Sequence, residues 1–171
     1  MMTRTRTPAR GGFSLIEIAV ATAIVGLALA AVLVACGSNT RVNEAGRKLT
    51  QGALLAQEIR EWTLALPFSD PDPADQGKPP GPDGSSPQVF VDDLDDLMNV
   101  TYNAPRNGQG QALSELAGWS QTITMTWRDP ADVSQTVAPG TSDVIRVQVD
   151  VAYKGKSVAS NSWLVTRPAG Q

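Results

Sequence analysis

Residues 18–36 form one unbroken run of apolar and small side chains, nineteen residues with no charge and no proline. Counted from Phe13 the stretch is 24 residues, enough for a helix to cross a hydrocarbon core of about 30 Å. A helix that is apolar all round must be buried in a large core or in lipid. The entrance to the run carries one carboxylate, Glu17, and a polar leader with Arg4, Arg6 and Arg10 precedes it. A secretory signal needs only a basic start and an apolar middle. A plain anchor does better without an acid in its first apolar turns, so Glu17 demands a reason of its own.

The rest of the composition fits one small domain behind that anchor. The chain has 171 residues with 14 Lys and Arg against 17 Asp and Glu. Without the leader, residues 13–171 hold 11 bases against 17 acids, and a surface of that sign argues against nucleic acid as a partner. The chain has no histidine and a single cysteine, Cys36, at the end of the apolar run. An internal disulfide is excluded, as is acid–base or metal chemistry built on histidine.

Five segments follow from the patterning. Residues 1–12 read as a cytoplasmic leader by the positive-inside bias, and residues 13–36 as the spanning part of a long helix. Ala19, Ala21, Ala23, Gly26, Ala28, Ala30, Ala31 and Ala35 make that span suited to close helix packing. Residues 37–66 continue as an amphipathic helix, with Val42, Ala45, Leu49, Gly52, Ala56, Ile59, Thr63 and Leu66 at spacings of three and four and Leu55 and Trp62 widening the stripe. Gly37-Ser-Asn-Thr is its weak point, and Pro67 its stop. A helix over residues 14–66 measures about 80 Å.

Residues 67–118 contain eight prolines, six glycines and nine acids against two bases, the composition of a surface loop. Within them Asp92, Asp93, Asp95 and Asp96 offer oxygen ligands of the kind calcium takes. The plainer reading docks Leu94 and Leu97 on the domain and leaves the aspartates in solvent. Residues 119–171 switch to a period of two. Trp119, Gln121, Ile123, Met125 and Trp127 share one side of a first strand, and Ile145, Val147, Val149, Val151 and Tyr153 one side of a second. A turn at Lys154-Gly155-Lys156 leads to a third strand over residues 158–167 with Trp163 and Val165 inward, and residues 89–91 are the candidate fourth. The expected class is α+β, a long amino-terminal helix covering an antiparallel sheet.

Gly12-Phe13-Ser14-Leu15-Ile16-Glu17, after a basic leader and before the apolar run, resembles the prepilin signal of type IV pilins and type II secretion pseudopilins. The resemblance implies cleavage between Gly12 and Phe13 by prepilin peptidase, N-methylation of Phe13, and a pilin-like fold. It assigns Glu17 to assembly, where its carboxylate meets the terminal amine of a neighbouring subunit. It also implies other pilin or pseudopilin subunits, an inner-membrane assembly platform and its ATPase as partners. The membrane-anchored chain would hold its head outside the cytoplasm until it enters a filament. Ala56-Gln57-Glu58-Ile59-Arg60-Glu61 and the acidic loop resemble minor subunits of the I or V type, and some pseudopilins bind calcium in a loop of the head.

Two other readings remain. Leu33-Val34-Ala35-Cys36-Gly37 matches a lipobox, which would lipidate Cys36 and discard what precedes it. An exported enzyme is the other, and the inventory speaks against it: no histidine, no phosphate loop, and Asp93 and Asp96 set in a charge run. The expected protein is a structural filament subunit without a catalytic site or a required cofactor.

Overall fold

A computed structural model of the chain describes residues 12, 14–74, 77–82 and 87–168. Arg4, Arg6, Arg10 and Phe13 lie outside the described residues. The chain divides into two units, residues 1–45 and 46–171.

Helix α1 spans Leu15–Ala65, 51 residues. No proline interrupts it, alanines raise its propensity, and Pro67 ends it as expected. Residues 37–40 are helical despite their glycine and polar side chains, and the Thr40 hydroxyl donates to the Cys36 carbonyl at 3.1 Å. In the first unit every described residue is exposed. In the second, α1 buries Gly52, Leu55, Ala56, Ile59, Trp62 and Thr63.

The expected stripe therefore holds from Gly52 onward and fails before it. Val42, Ala45 and Leu49 are exposed, at 69% for Val42 and 57% for Leu49. A period of 3.6 identifies residues that share a face, but says nothing of where the partner surface begins.

That partner is a four-stranded antiparallel meander in the order β1-β2-β3-β4, made of β1 (Thr101–Tyr102), β2 (Trp119–Trp127), β3 (Val144–Tyr153) and β4 (Lys156–Thr166). Strict alternation in β2 buries all five odd-numbered residues, Trp119 through Trp127. In β3 the same alternation buries Ile145, Val147, Val149 and Val151, each 1% exposed or less. The hairpin between β3 and β4 turns on Lys154 and Gly155, with φ of 50° and 74°. Two successive positive φ values match the right-handed twist of the strands, and glycine takes the second at no steric cost. Trp163 and Val165 on β4 are half-buried against the core, as their spacing implied.

The fourth strand is not at residues 89–91. Val89 and Phe90 are exposed at 86% and 50%, and β1 pairs instead with β2 through Thr101↔Thr122 and Tyr102↔Gln121. Two residues leave no period to read. Tyr102 is nevertheless fully buried, its ring 5.8 Å from Trp62 and its hydroxyl donating to the Pro87 carbonyl at 2.8 Å.

Two contacts join helix and sheet where sequence patterns are silent. Gly52 admits β4, since a Cβ there would lie 3.0 Å from Val158 Cγ1 and 3.2 Å from Ala159 Cβ. Gln121, in the apolar row of β2, is fully buried and donates through Nε2 to the Leu55 carbonyl at 2.8 Å and the Arg106 carbonyl at 3.1 Å. Its Oε1 accepts the Arg106 N–H at 2.6 Å. A buried amide satisfied on both ends fixes one register between strand, helix and loop.

Candidate functional site

The amino-terminal segment is built from its cap outward. Ser14 stands just before the first helical residue, and the Glu17 N–H donates to the Ser14 carbonyl at 3.0 Å and to its Oγ at 3.3 Å. Serine at the cap and glutamate three residues on is the spacing of a capping box, a start signal present in the sequence and absent from the expectations above. Glu17 thus has a local role beside any intersubunit one, because a carboxylate in the first helical turn is favoured by about 0.3–1 kcal/mol.

Around that carboxylate the surface is greasy. Leu15, Ile16 and Ile18 are exposed at 89%, 74% and 56%, and Ile24, Leu27, Leu33 and Val34 at 60% or more. Among the described residues none covers them, and α1 is long and apolar enough to cross a membrane. The one hydroxyl inside the run, Thr22, donates to the Ile18 carbonyl at 2.8 Å, so lipid need not solvate it. Gly12 is exposed, and a Cβ added there would meet no described atom within 4 Å beyond its chain neighbours. Cys36 is exposed and its thiol is free, with α1 running through it on both sides.

The aspartate cluster departs from the solvated reading. Leu94 and Leu97 dock as expected, each fully buried beside a 3-10 turn at Asp95–Leu97. The aspartates do not stay in solvent: Asp93 and Asp96 are 2% and 1% exposed. The Asp93 Oδ1 accepts the N–H groups of Asp95 at 2.9 Å and Asp96 at 3.2 Å, and Asp96 Oδ2 accepts the Asp92 N–H at 2.9 Å. Asp95 Oδ1 accepts the Gly81 N–H at 2.9 Å. These bonds curl the loop, while the Leu94 N–H donates to the Pro67 carbonyl at 2.9 Å and ties it to the end of α1.

Burial, reinforced by the charge of Asp95, pushes Asp93 up to about 7, against the opposing N–H donors. Burial also raises Asp95, and burial with the neighbouring Asp96 raises Asp92. Among the described residues no group of three or more acids, histidines or cysteines is placed to hold a metal ion. Asp93, Asp95 and Asp96 each accept from backbone N–H groups, while the buried Oδ1 of Asp92 has no hydrogen-bond partner among the described residues.

Residues 8–33 match the family model described as the prokaryotic N-terminal methylation motif. The chain carries a prepilin-type methylation signal. The match covers the segment holding Gly12, Phe13, Glu17 and most of the apolar run, and ends before Cys36. The match lies over an apolar amino-terminal helix long enough to cross a membrane, and the long helix with a four-stranded antiparallel sheet is a pilin-like arrangement. No curated protein and no solved structure matches the chain.

Proposed function

We propose that the chain is a structural subunit of a type IV pilus-like or type II secretion pseudopilus filament. In this reading prepilin peptidase cuts between Gly12 and Phe13 and the new terminus is methylated. The subunit then waits in the inner membrane with its head outside the cytoplasm. An assembly platform and its ATPase extract it into a filament of related subunits.

The observation that carries the reading is an uncovered apolar helix with one carboxylate at its mouth, lying under a methylation motif. Lipid covers that helix in the anchored subunit, and neighbouring helices would cover it in a filament. An ammonium and a carboxylate meeting in a low-dielectric bundle attract strongly, while either alone is costly there. Pairing Glu17 with the amine of a neighbour's Phe13 would therefore set the stagger between subunits.

Glu17→Ala tests the pairing. It is expected to abolish incorporation into filaments while leaving cleavage intact, both read by mass spectrometry of membrane and sheared-filament fractions. Incorporation at normal levels would refute the assembly role of Glu17. The same spectra identify the mature terminus: a chain starting at methylated Phe13 supports the filament reading, and one starting at acylated Cys36 replaces it with a lipid-anchored head.

A further inference from the structure

Four positive side chains, Arg47, Lys48, Lys154 and Lys156, mark one end of the unit formed by residues 46–171, and no acid lies at 46–48 or 153–156. The remainder of that unit holds six bases against fifteen acids. Tyr153 gathers the group. Lys48 Nζ lies 5.1 Å from the centroid of its ring and Lys154 Nζ 5.4 Å, while Lys156 is its register partner across the hairpin. Trp119 packs behind it with ring centroids 5.0 Å apart. Among the described residues neither Lys154 nor Lys156 has an acid within ion-pairing distance.

Asp150 stands three residues before Tyr153 on β3, and other acids lie towards the opposite end of the sheet. Trp119 pairs with Tyr153 beside the lysines, and Trp127 pairs with Ile145 eight residues along β2, roughly 27 Å away. There Asp70 and Asp95 line a cleft together with Lys78 and Arg167, so acids and bases are balanced at that end, unlike around Tyr153. Lysines crowded about one aromatic ring repel one another, and a multivalent anion relieves that repulsion more effectively than water does.

The chain's own anchor indicates which anion is at hand. Lys48 follows Cys36, the last residue of the apolar run, by twelve positions, so the patch cannot stray more than about 40 Å from the membrane even on an extended tether. A short tether also keeps the local concentration of headgroups high. Tyrosine beside lysine is a usual pairing at a membrane interface.

We propose that Lys48, Lys154 and Lys156, arranged about Tyr153, bind the phosphate groups of anionic phospholipids in the membrane that holds the anchor. The inference rests on the anchored reading above. It gives the head a resting position on the bilayer that must be broken when the subunit is extracted, with each lysine contributing roughly fivefold to the affinity. The exposed acids of a second copy are the competing occupant.

Lysine-selective nitrogen-15 labelling makes the test compact, because the chain has four lysines: Lys48, Lys78, Lys154 and Lys156. Lys78 lines the cleft at the far end of the sheet and serves as the internal reference. The full chain is placed in nanodiscs of phosphatidylcholine alone or with phosphatidylglycerol at about three to one, doped with a lipid carrying gadolinium on its headgroup. The expected result is severalfold greater relaxation of the Lys154 and Lys156 amides than of Lys78, in the phosphatidylglycerol discs only. It should vanish at about 0.5 M salt, where screening is short-ranged. In the K154E/K156E variant the enhancement at Lys48 should fall as well. Equal relaxation in neutral and anionic discs, or an effect that appears only with two chains per disc, overturns the proposal while leaving the anchor intact. A chain that does not co-elute with the discs overturns both.

Discussion

Asp93→Asn tests whether the carboxyl beneath the 3-10 turn is held neutral by the fold. The side chain is 2% exposed and its Oδ1 accepts two backbone N–H groups. In the unfolded chain the carboxyl ionises near its ordinary value of 3.8, whereas burial and the charge of Asp95 raise it to about 7 in the folded one. The folded state thus binds more protons than the unfolded state between those two values. The stability contributed by the neutral carboxyl is fully present below about pH 4 and is lost as pH rises through about 7. Complete linkage over that interval amounts to roughly 4 kcal/mol. The turn sits near the surface, where local opening can hydrate an ionised Asp93, so a loss of about 2 kcal/mol is expected. Asparagine keeps the Oδ1 acceptor and cannot ionise. D93N should match the native chain at pH 4 and exceed its stability by about 2 kcal/mol at pH 8. Urea unfolding of the full chain in detergent micelles measures this, followed by tryptophan fluorescence, since Trp62, Trp119, Trp127 and Trp163 all lie in residues 46–171. A variant less stable than the native chain at pH 8, or a difference that does not change with pH, would show that Asp93 is ionised and that its N–H donors outweigh burial.

Two further substitutions probe the joints between helix, loop and sheet. Gly110→Ala should cost about 2–4 kcal/mol in the same unfolding assay, because φ there is +74° and the new Cβ would lie 2.5 Å from Trp62 Cζ2. A loss below 0.5 kcal/mol would mean that the loop carrying Gly110 swings clear of the indole at little cost. Gln121→Leu keeps the volume of the β2 side chain but strips the Arg106 N–H and the Leu55 and Arg106 carbonyls of their buried partner. A loss of about 2–4 kcal/mol is expected, and unchanged stability would refute the claim that this amide joins strand to helix.

The amino-terminal segment was legible in the residues because every signal in it is local. The apolar run is a matter of consecutive composition, the cleavage and methylation motif of adjacent residues, and the helix stop of a single proline. The β2 and β3 faces were legible for a related reason: strict alternation over nine and ten residues leaves one choice of inward side. The Ser14 and Glu17 cap was equally local and could have been read from its spacing.

What the residues could not reveal depends on groups far apart in the chain. The stripe on α1 begins at Gly52 because Val158 and Ala159, more than a hundred positions later, lie against that glycine. Thr101 and Tyr102 form a strand, where residues 89–91 do not, because β2 supplies their hydrogen-bonding partner. Gln121 sits in an apolar row because Leu55 and Arg106 converge on it. Asp93 and Asp96 are buried because Leu94 and Leu97 pull their turn into the core, which brings each carboxylate onto backbone donors instead of water. Periodicity and composition report which surfaces a chain must cover. Which surface covers which is a property of contacts between distant segments, and it appears only when the chain has closed on itself.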